Sequence, residues 1–297
     1  MPKVQRRTAR RIVTGGSITA VLLFGVLLVL SSTFPPYDPV SAGEIPDGVS
    51  YGSVEIEGRT VHFAESGDAG NPMVLFVHGT PGSLQAFSGY LANRRLQARA
   101  HLVAVDRPGF GQSVDGNWLP GLTEQAAFMA AMRRVNRSGE PMVVVGHSLG
   151  GTIAYRMGVD HPDDVQHLVV ISSSIDPVVG QARWYNHLGN LWPVRFILPG
   201  GLGKANREIM PLKRELGELA PLIGDMAPVV TVIHGMNDRL VSFENLRFAE
   251  AKLPADRQRI VAVEDVGHFI LWERPDLILP EIEHAIRQAR GESSASE

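Results

Sequence analysis

The chain has 297 residues, 44% hydrophobic and 20% charged, with a formal net charge of −3. This is globular composition, neither disordered nor collagen-like, and it is long enough for one large domain or two smaller ones. No basic excess points to nucleic acid, and the absence of cysteine excludes thiol nucleophiles, cysteine-ligated metals, disulfides and lipid-modified cysteine.

Residues 1–11 carry Lys3, Arg6, Arg7, Arg10 and Arg11 without an acid, and residues 12–34 contain no charge. About 20 mostly apolar residues span the hydrocarbon of a bilayer. Residues 1–34 therefore read as a basic N-terminus and a transmembrane signal anchor. The basic flank is expected on the cytoplasmic side and the rest of the chain on the extracytoplasmic side. The competing reading is a cleaved signal peptide, whose apolar region is typically about 7–15 residues, giving a secreted product. Ile18 to Leu30 fits that length, and Val40 to Ala42 offers small residues for cleavage, but the proline-rich Phe34 to Pro39 lies between them. Residues 35–49 read as a stiff linker, the folded part begins near Ser50, and residues 291–297 read as a disordered tail.

From Ser50 onward, short apolar runs alternate with helix-length segments. Tyr51 to Ser66 reads as two strands around a tight turn at Glu57 and Gly58. Six further runs follow: Met73 to Gly79, His101 to Asp106, Pro141 to Ser148, Gln166 to Ser174, Val229 to Gly235 and Arg259 to Asp265. They are nearly continuous in apolar residues, as strands covered on both faces must be. Helices are expected over Gly82–Arg99, Leu122–Ser138, Gly150–His161, Phe243–Leu253 and Pro275–Arg290. Such alternation predicts a doubly wound, mostly parallel α/β sheet, assembled from residues 50–175 and 228–290.

Residues 176–227 break the pattern. An insertion of about 50 residues without a strand is the length of a lid, and it reads as a helical cap, with a long helical crossover as the alternative. Trp184, Tyr185, Trp192 and Phe196 fall here. The aromatics at 184, 185 and 192 read first as the packing core of the cap and second as a recognition surface.

One strand ends unusually. Val143 to Thr152 reads VVVGHSLGGT, a buried strand running into Gly146-His147-Ser148-Leu149-Gly150 and then a helix. In this G-x-S-x-G pattern the serine takes a sharp, strained turn that lifts its hydroxyl out of the sheet, towards the amide-rich start of a helix. A serine hydroxyl needs a base to take its proton, and a histidine base needs a carboxylate to orient it. His268 follows the last strand and Asp238 follows the one before it, both in loops. The chain order Ser148, Asp238, His268 is one of the recurring triad orders, and ligands bind at the carboxyl ends of parallel strands.

Five segments, HGTPGS at 78–83, DRPGFGQS at 106–113, GHSLGG at 146–151, HGMNDRLV at 234–241 and VGHF at 266–269, together resemble the α/β-hydrolase family over nearly all of Ser50 to Arg290. The resemblance implies an α/β-hydrolase fold, an eight-stranded-type, mostly parallel sheet flanked by helices with a helical lid. It implies a serine hydrolase of the esterase, lipase and peptidase-like kind, needing no cofactor and no metal and acting on a small-molecule acyl substrate. Ser148 would be the nucleophile, His268 the general base and Asp238 its partner. The oxyanion would be held by the amides of Leu149 and of Thr80, since Pro81 has no N–H. Epoxide hydrolases and haloalkane dehalogenases of this fold carry aspartate at the elbow, which Ser148 replaces. Acyl transfer, cleavage of amide or carbon–carbon bonds and a non-catalytic binding role are the alternatives, the last requiring a damaged triad.

Other polar residues read as structural. Asp176 is the rival acid, while Asp265 lies too close along the chain to orient His268. His147 packs beside the site, His78 holds its own loop, and Asp106 supports the elbow. His234 and Gly235 close a strand, and His284 lies solvated on the last helix.

Overall fold

A computed structural model describes residues 47–113, 118–192, 194, 198 and 200–292. Eight strands form one sheet: β1 (Val49–Ile56), β2 (Arg59–Ser66), β3 (Met73–Val77), β4 (His101–Val105), β5 (Met142–His147), β6 (Val165–Ile171), β7 (Val229–Gly235) and β8 (Gln258–Val263). Their order is β1-β2-β4-β3-β5-β6-β7-β8. β1 pairs antiparallel with β2, and β2 antiparallel with β4; every later pairing is parallel. The β1–β2 turn has Glu57 at φ 50° and Gly58 at φ 72°, both positive, as a two-residue hairpin of matching twist requires.

The unbroken apolar runs have a simple cause. Alternate side chains point to opposite faces of a strand. On β3, Met73, Leu75 and Val77 join one buried cluster, while Val74 and Phe76 join the other. The first cluster packs under the helices Leu122–Ala130, Leu149–Asp160 and Leu212–Leu219, through residues such as Phe128, Ile153 and Leu216. The second packs under short turns at 84–97 and the helix Pro275–Ala289, through Phe87, Leu91, Ile278 and Ile282. A sheet buried on both faces leaves no position for a polar stripe.

Several elements differ from expectation. The helix expected over Gly82–Arg99 is a 3-10 turn at Leu84–Phe87 followed by single helical turns at Ser88–Leu91 and Arg94–Gln97. Asn93 interrupts it: its backbone is extended and its Oδ1 accepts from the amides of Arg95 and Leu96, starting a new turn. The next helix is regular only over Leu122–Ala130 and then tightens into a 3-10 turn. His284 is half-buried, its ring edge-on to His167 at 6.3 Å. Between β6 and β7 lie the helices Trp184–Gly189, Gly200–Ile209 and Leu212–Leu219. Here Trp184 and Trp192 are 68% and 72% exposed, so they are not its packing core; Ala205, Leu212, Leu216 and Leu219 take that position. Phe196 lies outside the described residues, as do all of the expected anchor at 1–34, residues 35–46 of the expected linker and residues 293–297 of the expected tail. Among the described residues, no helix is long and apolar enough to cross a membrane.

Candidate active site

The strand order reverses at β3, which lies between β4 and β5. Ligand crevices form at such switch points, outside the carboxyl ends of the strands. Residues from the loops after β3, β5, β7 and β8 meet there.

Ser148 follows β5 directly, with φ 54° and ψ −125°, a region that L-residues other than glycine rarely enter. Its amide is tied to the Ile171 carbonyl at 2.9 Å, and the helix Leu149–Asp160 starts on the next residue. The amide of Leu149 is thus among the first of a helix, which have no partner inside it. Gly150 permits the turn, since a Cβ there would run into the carbonyl of Val77. Gly79, after β3, permits the close approach of its loop: a Cβ on it would stand 2.8 Å from Ser148 Cβ and 3.4 Å from its Oγ. This puts Gly79, with Thr80 next in the chain, against the serine.

Asp238 and His268 are brought together by the loops after β7 and β8. These loops are laced by backbone bonds from Met236 to Val263 and from Asn237 to Val266, 2.8 and 3.0 Å long. His268 Nδ1 donates to Asp238 Oδ2 at 2.8 Å, and both side chains are buried. Asp238 Oδ1 accepts from the amides of Leu240 and Val241, each at 2.8 Å. Burial alone would raise the Asp238 carboxyl. The hydrogen bonds from His234 and His268, with the Val241 amide, outweigh it and hold the group well below the usual carboxylate range. Asp176, the rival acid, instead accepts from the amide of Val178 at 2.8 Å and closes its own turn. Asp265 is exposed.

His147 joins Ser148 to this pair. Its Nε2 donates to the carbonyl of His268 at 2.9 Å, and the two rings are 4.9 Å apart. Trp272 packs edge-on against His147 at 5.1 Å. Burial, then the charge of His268, push the His147 pKa down to about 3, so it is a fixed neutral donor that holds the His268 backbone. No hydrogen bond joins Ser148 Oγ to His268 in this geometry; such bonds commonly tighten only when substrate binds.

Two residues here had no marked signal in the sequence. His234 does more than end β7: its Nε2 donates to the Val241 carbonyl at 3.1 Å and stands 3.4 Å from Asp238 Oδ2. The i, i+4 spacing in HGMND was the available hint. Arg107, within DRPGFGQS, is fully buried behind the Gly79 loop. Asp106 supports the loops after β3 and β4 rather than the elbow, accepting from the amides of Leu84 and Gln112 at 2.7 and 2.8 Å.

The buried histidines make stability depend on pH. Burial lowers His167 to about 4 and His147 to about 3, against about 6.5 in an unfolded chain. Between those values the unfolded state binds more protons, so stability is complete above pH 6.5 and drains away as pH falls towards 4 and then 3. Each group contributes at most about 1.4 kcal/mol per pH unit. The urea midpoint is expected to fall markedly between pH 7 and pH 5, and less steeply in His167→Gln; equal midpoints at the two pH values would refute this.

The likenesses to known proteins agree with this architecture. The model of the alpha/beta hydrolase family matches residues 74–281. The dihydrolipoyllysine-residue acetyltransferase component of the acetoin cleaving system of Cupriavidus necator is 36% identical over 133 residues, 44% of this chain and 34% of that protein. Epoxide hydrolase 3 of Xenopus tropicalis is 32% identical over 117 residues, 39% of this chain and 31% of the other. The matches thus span about a third of these relatives' length. A membrane phospholipase A, described as a bacterial virulence factor, superposes with a TM-score of 0.62 at 21% identity, over 96% of this chain and 99% of its own. With the family model covering the sheet from β3 to the last helix, the chain belongs to the alpha/beta hydrolase family.

Proposed function

We propose that the protein is a serine hydrolase that cleaves an ester-like carbonyl through an acyl-enzyme. The observation that carries this reading is the buried 2.8 Å bond between Asp238 and His268, tied through His147 to a serine at φ 54°. Ser148 Oγ attacks the carbonyl carbon as His268 Nε2 takes its proton. Asp238 holds Nδ1–H and so keeps Nε2 free as the base. The amides of Thr80 and Leu149 receive the developing oxyanion. His268 then returns the proton to the leaving group, and water repeats the sequence to release the acid. Epoxide opening by the aspartate route needs a carboxylate where Ser148 stands.

The likeness to an acetyltransferase component favours a second reading, in which an alcohol or amine instead of water takes the acyl group; products formed with an added alcohol distinguish the two. The β6–β7 insertion serves as the cap of the pocket. Residues 1–34 anchor the chain in a membrane, with the hydrolase domain on the extracytoplasmic side; their support is the charge-free run behind a basic flank.

One experiment tests both. A fluorophosphonate probe added to membranes holding the full-length protein should tag Ser148, and alkaline carbonate should leave the tagged chain in the pellet. A tag absent from Ser148 would end the serine-hydrolase reading. A tagged chain released to the supernatant would end the anchor.

A further inference from the structure

Arg107 follows β4, is fully buried, and uses all five N–H donors of its guanidinium. Nε donates to the His78 carbonyl at 3.0 Å. Nη2 donates to the Gly79 carbonyl at 2.8 Å and reaches Glu208 Oε2 at 3.4 Å. Nη1 donates to Glu208 Oε1 at 2.7 Å and to Gln125 Oε1. The Arg107 amide donates to His78 Nε2 at 3.1 Å, while His78 Nδ1 donates to the Gly79 carbonyl at 2.7 Å. One neutral tautomer of His78 satisfies both bonds.

The Gly79 carbonyl therefore accepts two hydrogen bonds, one from Arg107 and one from His78. That carbonyl and the Thr80 N–H belong to a single planar trans peptide unit, in which they point in opposite directions. Holding the oxygen towards Arg107 and His78 turns the Thr80 N–H the other way. Gly79 itself lies against Ser148, so the direction of one peptide plane decides whether an oxyanion donor faces the nucleophile.

Glu208 belongs to the helix Gly200–Ile209 of the cap. Its Oε1 also accepts from Gln125 Nε2 at 3.0 Å, and the pair with Arg107 is buried on both sides. The same helix is held by Lys204 Nζ, which donates to the Gly109 carbonyl at 2.6 Å, and by Arg207 stacked on Trp118 at 4.3 Å. A buried guanidinium stripped of its carboxylate is strongly unfavourable, so the network keeps its form only while this helix is docked.

We propose that Arg107 is a positioning residue that aims the Thr80 amide at Ser148, and that Glu208 makes this aim depend on the docked cap, so that the oxyanion hole is complete only when the cap is closed. This rests on the reading of Ser148 and Thr80 given above. It separates catalytic power from the cap's other role of shaping the pocket.

The test compares full-length wild type with Glu208→Gln, Arg107→Lys and the double variant. The readouts are kcat and KM on a p-nitrophenyl ester, and backbone deuterium uptake over residues 78–84. In Glu208→Gln an amide nitrogen faces a donor of Arg107 or Gln125. In Arg107→Lys three donors replace five. Each single variant should lose about 10²-fold in kcat, the size of one lost oxyanion donor, with KM changed less than about threefold. The double variant should lose no more than the worse single, and uptake over 78–84 should rise in all three. Unchanged kcat and uptake with a lowered melting temperature would overturn the proposal, as would losses that multiply in the double variant. If the wild type cleaves no ester and Ser148 takes no probe, the hydrolase reading has failed. The uptake comparison then decides the coupling by itself: a rise in Glu208→Gln upholds it, and no change ends it.

Discussion

Ser148→Ala is expected to lower kcat for a p-nitrophenyl ester by about 10⁶-fold, the size seen when a triad serine is removed, while the folded protein persists. The change removes only Oγ. The Ser148 amide still bonds to Ile171, and the packing of Leu149, Ile153 and the rest of the helix is untouched. Alanine takes the same φ 54° that Ser148 already holds, so the strain of order 1–3 kcal/mol is common to both proteins and the melting temperature should change little. A variant that keeps a tenth or more of the wild-type rate would sink the nucleophile assignment. Loss of activity together with loss of the cooperative melt would show only that the elbow had collapsed, so the melt is measured on the same sample.

The second large effect is on Asp238. Asp238→Asn should lower kcat by about 10⁴-fold with little change in melting temperature. Oδ1 is held by the amides of Leu240 and Val241, so an asparagine must put its own oxygen there. Its NH₂ then faces the Nδ1–H of His268, donor against donor. The imidazole is driven to the other tautomer, with the proton on Nε2, where it can no longer accept one from Ser148. Below neutral pH the wild type should lose activity with a single-proton acid limb. Asp238 is held ionised and His147 titrates only near pH 3, so neither adds a step above about pH 4. Full activity in Asp238→Asn, or two protons in the acid limb above that pH, would contradict the assigned roles.

The strands could be read from the chain because their cause is local. Met73 to Val77 is apolar at every position because both faces are covered, and no later folding event alters that reading. The elbow was similarly legible: glycines at 146, 150 and 151 around Ser148 mark a turn that few other residues allow. Asp238 and His268 could be singled out by their place after strands, and they meet at 2.8 Å. The turn at Asn93 was missed because a capping side chain outweighs the helical tendency of its neighbours only slightly. Trp184 and Trp192 were misjudged because hydrophobicity says that burial is favourable, not that a partner surface exists.

By itself, the sequence determined the alternation of strand and helix, the parallel sheet, the strained serine and the types and order of its candidate partners. Each of these depends on residues next to one another or on a period of two. Only the tertiary structure decided which long-range partners are taken. Arg107 is written no differently from an arginine on the surface, and Glu208 is one acid among many in the chain. Their pairing 101 positions apart, and its consequence for the Gly79 peptide, follow from the helix Gly200–Ile209, between β6 and β7, docking beyond the end of β4. A buried charge has to find its counter-charge in space, and the distance along the chain places no limit on where that is.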